Sequence, residues 1–241
     1  MSAPTLALNR VMAMGMAGRP LSGLTVLVVE DSRYASEAVR LLCLRSGARI
    51  RRADCLRSAQ RHLATYRPAV VIVDMGLPDG SGADLIAQIA RMQPKVPVVL
   101  ATSGDPDQQA VALAAGAQAF LPKPIAGLAA FQQMILALLP DEARPLGLRL
   151  IEDDIVHPDA EALRDDLAHV ADVLSAAPDT AALDYIAQFL AGVARTARDD
   201  VLEQAARALS ADHHAGRALA PDLARISGLV QDRLAAGGQA Y

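Results

Sequence analysis

From Leu24 onward the chain alternates short, unbroken apolar runs with longer segments whose apolar residues recur at helical spacing. "LTVLVVED" reads as a strand. The helix after it, "SRYASEAVRLLCLRSGA", has Ala38, Leu41, Leu42 and Arg45 at helical spacing and closes at Gly47. The pair then repeats. A weaker, edge-type strand "RIRRAD" precedes the helix "LRSAQRHLATY", which stops before Pro68. Next come "AVVIVDM" with "GADLIAQIARM", "VPVVLATS" with "PDQQAVALAAGA", and "AQAFLPK" with "AGLAAFQQMILALL". Runs rather than strict alternation imply strands buried on both faces, so the pattern predicts a doubly wound, five-stranded parallel sheet with right-handed crossovers.

After Pro140 the pattern changes. "DEARPLGLRLIEDDIVHP" reads as a polar connector, and beyond it no strand signal returns. Helical stripes recur at Leu163, Leu167, Val170 and Leu174; at Leu183, Ile186, Leu190 and Val193; at Val201, Leu202, Ala205 and Leu209; and from Leu219 through Leu223, Ile226 and Val230 to Leu234. Pro158, Pro178 and Pro221 sit where a first helical turn accepts proline. The expected organisation is an N-terminal extension over 1–22, an α/β domain over 23–140, a linker over 141–157 and an all-α helical bundle over 158–236. The Gly237-Gly238 tail is expected to fray.

In a doubly wound sheet, ligands bind beyond the carboxyl ends of the strands. Those ends carry Glu30 and Asp31, then Asp74 at the close of "VVIVDMGLPDGSG", then Thr102 and Ser103, then Lys123. Clustered carboxylates repel, so they call for a cation or for raised pKa values. Mg²⁺ answers the first need, with Asp31 and Asp74 as direct ligands and Glu30 acting through a metal-bound water. A phosphoryl group would place one oxygen on Mg²⁺, one on the Lys123 ammonium and one on the Thr102 hydroxyl with nearby backbone N–H groups. No residue is poised to activate a hydroxyl, which makes Asp74 the nucleophile of an acyl phosphate.

"VLVVEDS", "VVIVDMGLPDGSG", "VVLATSG" and "AFLPKPI", in this order and spacing, resemble the receiver domain of bacterial two-component response regulators, a flavodoxin-like fold, over roughly residues 24–140. A lone Asp before a Gly-rich loop is usually a turn residue, but the four aligned motifs outweigh that reading. The resemblance implies that Asp74 accepts a phosphoryl group from a histidine kinase or a phosphotransfer protein. It implies that Glu30 and Asp31 form an acidic pocket and that Thr102 and Lys123 contact the phosphoryl group. It further implies that Gly76 offers its backbone carbonyl to Mg²⁺, that Phe120 is an aromatic rotamer switch, and that the Lys123-Pro124 bond is often cis. Gly76 and Gly104 flank the line of attack of a hydrolytic water with no side chain to orient or block it, which leaves the phosphoryl lifetime open.

Charge bears on the output. Residues 1–140 hold 14 Arg and Lys against 9 Asp and Glu, and residues 141–241 hold 9 against 18, so the segments carry +5 and −9. An acidic helical tail without a basic helix face makes nucleic acid an unlikely partner and favours protein-protein contact or self-association. The DNA-binding transcriptional regulator, the commonest output in the family the chain resembles, is the alternative. Phosphorylation is expected to repack the face formed by the fourth helix, fifth strand and fifth helix, with the tail docked there. A second alternative, a phosphotransfer relay through His213 or His214 in "ADHHAGRALA", lacks the His-x-x-Lys-Gly pattern of a relay helix. A surface pair at a helix terminus suits these two residues better. His62, His157 and His169 read as solvated.

No enzyme activity is expected beyond self-catalysed phosphorylation and dephosphorylation at Asp74. Cys43 and Cys55 read as reduced structural thiols. No apolar run reaches the ~20 residues of a membrane span, and Arg10 breaks the first apolar stretch, so a cytoplasmic location is expected.

Overall fold

The computed structural model describes residues 19–140, 154–176 and 180–237. Most of the expected extension and linker, Pro178 and Gly238 lie outside these residues. In chain order the first part contains β1 (Thr25–Val29), α1 (Arg33–Arg45), β2 (Arg49–Ala53), α2 (Leu56–Thr65), β3 (Val70–Asp74), β4 (Gly76–Leu77), β5 (Gly80–Ser81), α3 (Gly82–Ala90), β6 (Val98–Ser103), α4 (Gln108–Ala115), β7 (Ala119–Pro122) and α5 (Leu128–Leu138). Five strands form one parallel sheet in the order β2-β1-β3-β6-β7.

The unbroken apolar runs have a simple cause. Val26, Val28, Val70, Ile72, Val98 and Leu100 face one way and pack with Leu42, Phe131 and Ile135 of α1 and α5. Their neighbours Leu27, Val29, Val71, Val73, Val99 and Ala101 face the other way, toward Leu63, Leu85, Ile89 and Ala112 of α2, α3 and α4. Period-two geometry therefore fills both helical layers, and each strand has to be apolar throughout. β2 is the exception. It pairs on one side only, and its exposed Arg49, Arg51 and Arg52 guard a sheet edge.

The chain passes from β1 outward to β2 and then back across to β3. That reversal opens a crevice at the carboxyl ends of β1 and β3. Beside it, β4 and β5 form a two-stranded antiparallel ribbon. Asp79 at its tip accepts the Leu56 and Arg57 N–H groups at 2.7 and 3.0 Å, capping α2, whose own N-cap residue Cys55 makes no side-chain capping hydrogen bond. At the opposite end of the sheet Leu21 is fully buried in the layer of α1 and α5, so packing of this domain begins within the segment expected as an extension. Val156 packs on the same layer, and the Leu128 N–H donates to the Asp154 carbonyl at 3.0 Å.

The second part is α6 (Ala160–Ser175), α7 (Thr180–Ala197), α8 (Asp200–His214) and α9 (Ala220–Gly237). Val170, Ile186, Leu190, Leu202, Leu209, Ile226 and Val230 meet in one core, which draws on all four stripes of the sequence; of the expected stripe residues, Val201 is exposed and Leu183 lies outside this cluster. Pro221 lies in the first turn of α9 as expected. Pro158 lies outside α6, because the Asp159 carboxylate accepts the Glu161 N–H at 3.0 Å and starts the helix there.

The bundle does not dock on the face formed by α4, β7 and α5, contrary to expectation. Among the described residues it packs on α1 and on the carboxyl ends of the sheet. Asp166 of α6 accepts hydrogen bonds from the Ser32 hydroxyl at 2.8 Å and from the Arg33 and Tyr34 N–H groups at 2.9 and 3.0 Å. The first turn of a helix leaves N–H groups without intrahelical partners, and a carboxylate satisfies both these donors and the positive end of the dipole. Among the described residues no helix is long and apolar enough to cross a membrane.

Candidate functional site

Glu30 and Asp31 follow β1, Asp74 ends β3, Thr102 lies at the end of β6, and Lys123 follows β7, so parallel register brings all five to one edge. Carboxylate oxygens of Glu30, Asp31 and Asp74 lie within 4.8 Å of one another. The Lys123 ammonium reaches Glu30 Oε2 at 2.6 Å and Asp74 Oδ1 at 3.0 Å. Glu30, Asp74, Thr102 and Lys123 are all buried, and Asp31 is partly so.

One ammonium does not balance three carboxylates in such a place. Burial pushes the Glu30 carboxyl well above its ordinary value against the pull of Lys123, and Asp74 and Asp31 add to the rise. Burial also lifts Asp31 to about 7, helped by Asp74 and opposed by a hydrogen bond from Tyr185. Burial works against the Lys123 ammonium, but Asp74 and Glu30 outweigh it and keep the group charged. The excess of hard oxygen donors fits a divalent cation such as Mg²⁺.

Other expected residues take up less direct positions. The Gly76 N–H donates to Asp74 Oδ2 at 3.2 Å, holding the carboxylate toward the ribbon. The Thr102 hydroxyl donates to the Leu121 carbonyl at 2.8 Å and is not free for a ligand in this arrangement. Phe120 is buried in the layer of α2, α3 and α4. The Lys123-Pro124 bond is cis.

His213 and His214 end α8, and neither lines the cleft. His213 Nδ1 lies 2.6 Å from Asp184 Oδ1, so this histidine is a partly buried partner of the bundle rather than a freely solvated group. His214 Nδ1 lies 2.7 Å from the Ser210 carbonyl. Cys43 is buried and Cys55 partly so, and neither is in a disulfide.

Several residues at the site escaped sequence reasoning. α7 closes one side of a cleft of about 610 Å³, with Tyr185, Gln188 and Gly192 facing Asp31, Asp74, Gly76 and Gly104. Tyr185 donates its hydroxyl to Asp31 Oδ2 at 2.8 Å. Burial, reinforced by the Asp31 charge, keeps this phenol protonated. A β-carbon placed on Gly76 would lie 3.2 Å from Gln188 Oε1 and 3.8 Å from Asp74 Oδ2, and one on Gly104 would lie 3.3 Å from Gly192 Cα. The lack of a side chain at Gly104 is what lets the loop after β6 approach the helix, whereas a β-carbon on Gly192 itself would meet nothing within 4 Å. The available signal was a second stripe on α7, Tyr185, Gln188 and Gly192, at helical spacing beside the apolar one.

Residues 26–135 match the family model of the response regulator receiver domain. The chain is 32% identical over 99 residues to the KDP operon transcriptional regulatory protein KdpE of Escherichia coli (strain K12), covering 41% of this chain and 44% of that protein. It is 35% identical over 108 residues to the probable transcriptional regulatory protein TcrX of Mycobacterium tuberculosis (strain ATCC 25618 / H37Rv), covering 44% and 45%. The chain thus spans less than half the length of these curated relatives. Among solved structures, the receiver domain of the sensor histidine kinase PA1611 from Pseudomonas aeruginosa PAO1, with a magnesium ion coordinated in its active site cleft, is 20% identical. It covers 48% of this chain and 98% of that one at a TM-score of 0.45. The match over 26–135, on a five-stranded parallel sheet with an acidic edge, makes this segment of the chain a response regulator receiver domain.

Proposed function

We propose that the chain is a cytoplasmic response regulator in which Asp74 accepts a phosphoryl group from a histidine kinase or a phosphotransfer protein. The observation that carries this reading is Asp74 itself: a buried carboxylate closing a central strand, set between the Lys123 ammonium and two further carboxylates. Asp31, Asp74 and the Gly76 carbonyl would hold Mg²⁺, with Glu30 reaching it through water. When bound, the ion neutralises charge on the transferring group. The Asp74 carboxylate attacks phosphorus, and Lys123 holds one phosphoryl oxygen. Thr102 reaches another only by leaving the Leu121 carbonyl, and Phe120 is the aromatic side chain proposed to move with it.

The output runs through protein contacts of the bundle or through self-association, because the segment from residue 141 onward carries −9 and a nucleic-acid surface requires the opposite sign. The similarity to KdpE and TcrX spans only about the length of a receiver domain. The test is labelling with acetyl phosphate or phosphoramidate in the presence of Mg²⁺. Wild type takes up label and Asp74→Asn takes up none; label retained by Asp74→Asn overturns the assignment.

A further inference from the structure

Gly76 and Gly104 leave the receiver with no side chain of its own beside the path of a water attacking a phosphoryl group on Asp74. α7 lies over both positions. Gln188 Oε1 and Asp74 Oδ2 both fall within 4 Å of the point where a Gly76 methyl group would sit. Among the described residues the Gln188 carboxamide has no hydrogen-bond partner, and the side chain is exposed to the cleft, where water reaches it. The helix that carries it is fixed on either side, by Tyr185 on Asp31 and by Gly192 against Gly104.

We infer that Gln188 positions the water that hydrolyses the Asp74 acyl phosphate, so that the helical bundle sets the lifetime of the receiver's own signal. The inference rests on the reading of Asp74 as phosphoacceptor. A carboxamide offers one acceptor and two donors and does not titrate near neutral pH, so it aligns a water without acting as a base. Gln188 Oε1 accepts one water O–H, which turns a water lone pair toward phosphorus. The new water O–P bond forms as the P–O bond to Asp74 breaks, and its electron pair returns to the Asp74 carboxylate, which Lys123 holds. The water's protons pass to the phosphate oxygens and solvent, and inorganic phosphate leaves. The amide nitrogen lone pair is delocalised into its carbonyl, so Gln188 takes no phosphoryl group itself.

The experiment uses the full chain, labelled with acetyl phosphate and Mg²⁺ and then followed after removal of the donor. Gln188→Met keeps the length of the side chain, and Gln188→Ala removes it. Both are expected to slow loss of label on the order of 10- to 100-fold, with the initial labelling rate within about twofold of wild type. Hydrogen exchange at the start of α1 is expected to stay as in wild type, which separates loss of the amide from loss of docking. Label lost from Gln188→Met at the wild-type rate or faster overturns the inference while leaving Asp74 as acceptor. Absence of label from wild type overturns both.

Discussion

Tyr185 of the helical bundle donates its hydroxyl to Asp31 of the receiver at 2.8 Å, across 154 residues of sequence. The same Asp31 carboxylate is one of three whose oxygens lie close enough together to hold a divalent cation. Docking of the bundle and binding of such an ion would then draw on one group, and by linkage each would alter the affinity of the other.

Replacing Tyr185 by Phe removes the donor and keeps the ring. The hydrogen bond stabilises the metal-free carboxylate and is worth about 1 kcal/mol, so Mg²⁺ affinity is expected to rise roughly three- to tenfold at about pH 9, above the Asp31 value of about 7, where protons do not compete for the carboxylate in either protein. Titration calorimetry on the full chain measures this directly. An unchanged affinity would mean that Tyr185 keeps its bond to Asp31 while the ion is bound.

Asp166 has a different role, because its carboxylate caps α1 from another domain. Ser32 also caps the helix, accepting the Ala35 N–H at 2.9 Å, so α1 survives loss of Asp166 while the contact between domains weakens. Asp166→Ala is expected to cost about 2 kcal/mol of docking free energy, given hydrogen bonds to a charged acceptor. Faster hydrogen exchange over residues 33–36, with the strands unaffected, is the expected signature.

Gly82 tests how tightly the strand that ends in Asp74 is held from behind. A β-carbon there would lie 2.0 Å from the Asp74 carbonyl oxygen and 2.9 Å from Met75 Cα, both backbone atoms that no rotamer change relieves. Gly82→Ala is expected to destabilise the receiver by more than about 3 kcal/mol and to lower labelling of Asp74 in whatever fraction stays folded. Urea denaturation and acyl-phosphate labelling read the two effects.

The receiver was legible because its physics is periodic. Val26 and Val28 serve one layer and Leu27 and Val29 the other, so a run of apolar residues announces a strand with helices on both sides. The carboxyl-end rule then picks out Glu30, Asp31, Asp74, Thr102 and Lys123 before any coordinate is known. The docking of the bundle was not legible. An amphipathic stripe such as Leu183, Ile186, Leu190 and Val193 tells which face of a helix enters a core; it does not say what the remaining face will meet. Gly192 is a glycine inside a helix, at a cost of about 1 kcal/mol relative to Ala, yet a β-carbon there would meet nothing within 4 Å; the close contact is made by Gly104, in a loop where glycine is ordinary. The direction of the Thr102 hydroxyl was hidden too, because rotation about one bond decides between the Leu121 carbonyl and the cleft.

The junction between α7 and α8 gives the bundle an acid-sensitive fastening. Asp199 caps α8 through the Leu202 N–H at 3.0 Å and meets Arg233 of α9 at two points, Nε to Oδ2 at 2.6 Å and Nη2 to Oδ1 at 3.1 Å. The Arg233 hydrogen bond, with the backbone donors, holds the Asp199 carboxyl below its ordinary value in spite of partial burial. A carboxyl with a depressed folded pKa stabilises the fold fully above its unfolded pKa of about 4, and that contribution is lost as pH falls through the lower, folded value. Asp199→Asn keeps an N-cap acceptor and removes the charge. The variant is therefore expected to be about 1 kcal/mol less stable than wild type at pH 7, a figure held down by the partial exposure of both partners. The difference is expected to shrink as pH falls from about 5 to below 3. Urea midpoints followed by circular dichroism across that range supply the check, and a gap as wide at pH 3 as at pH 7 would assign the effect to the cap and not to the ion pair.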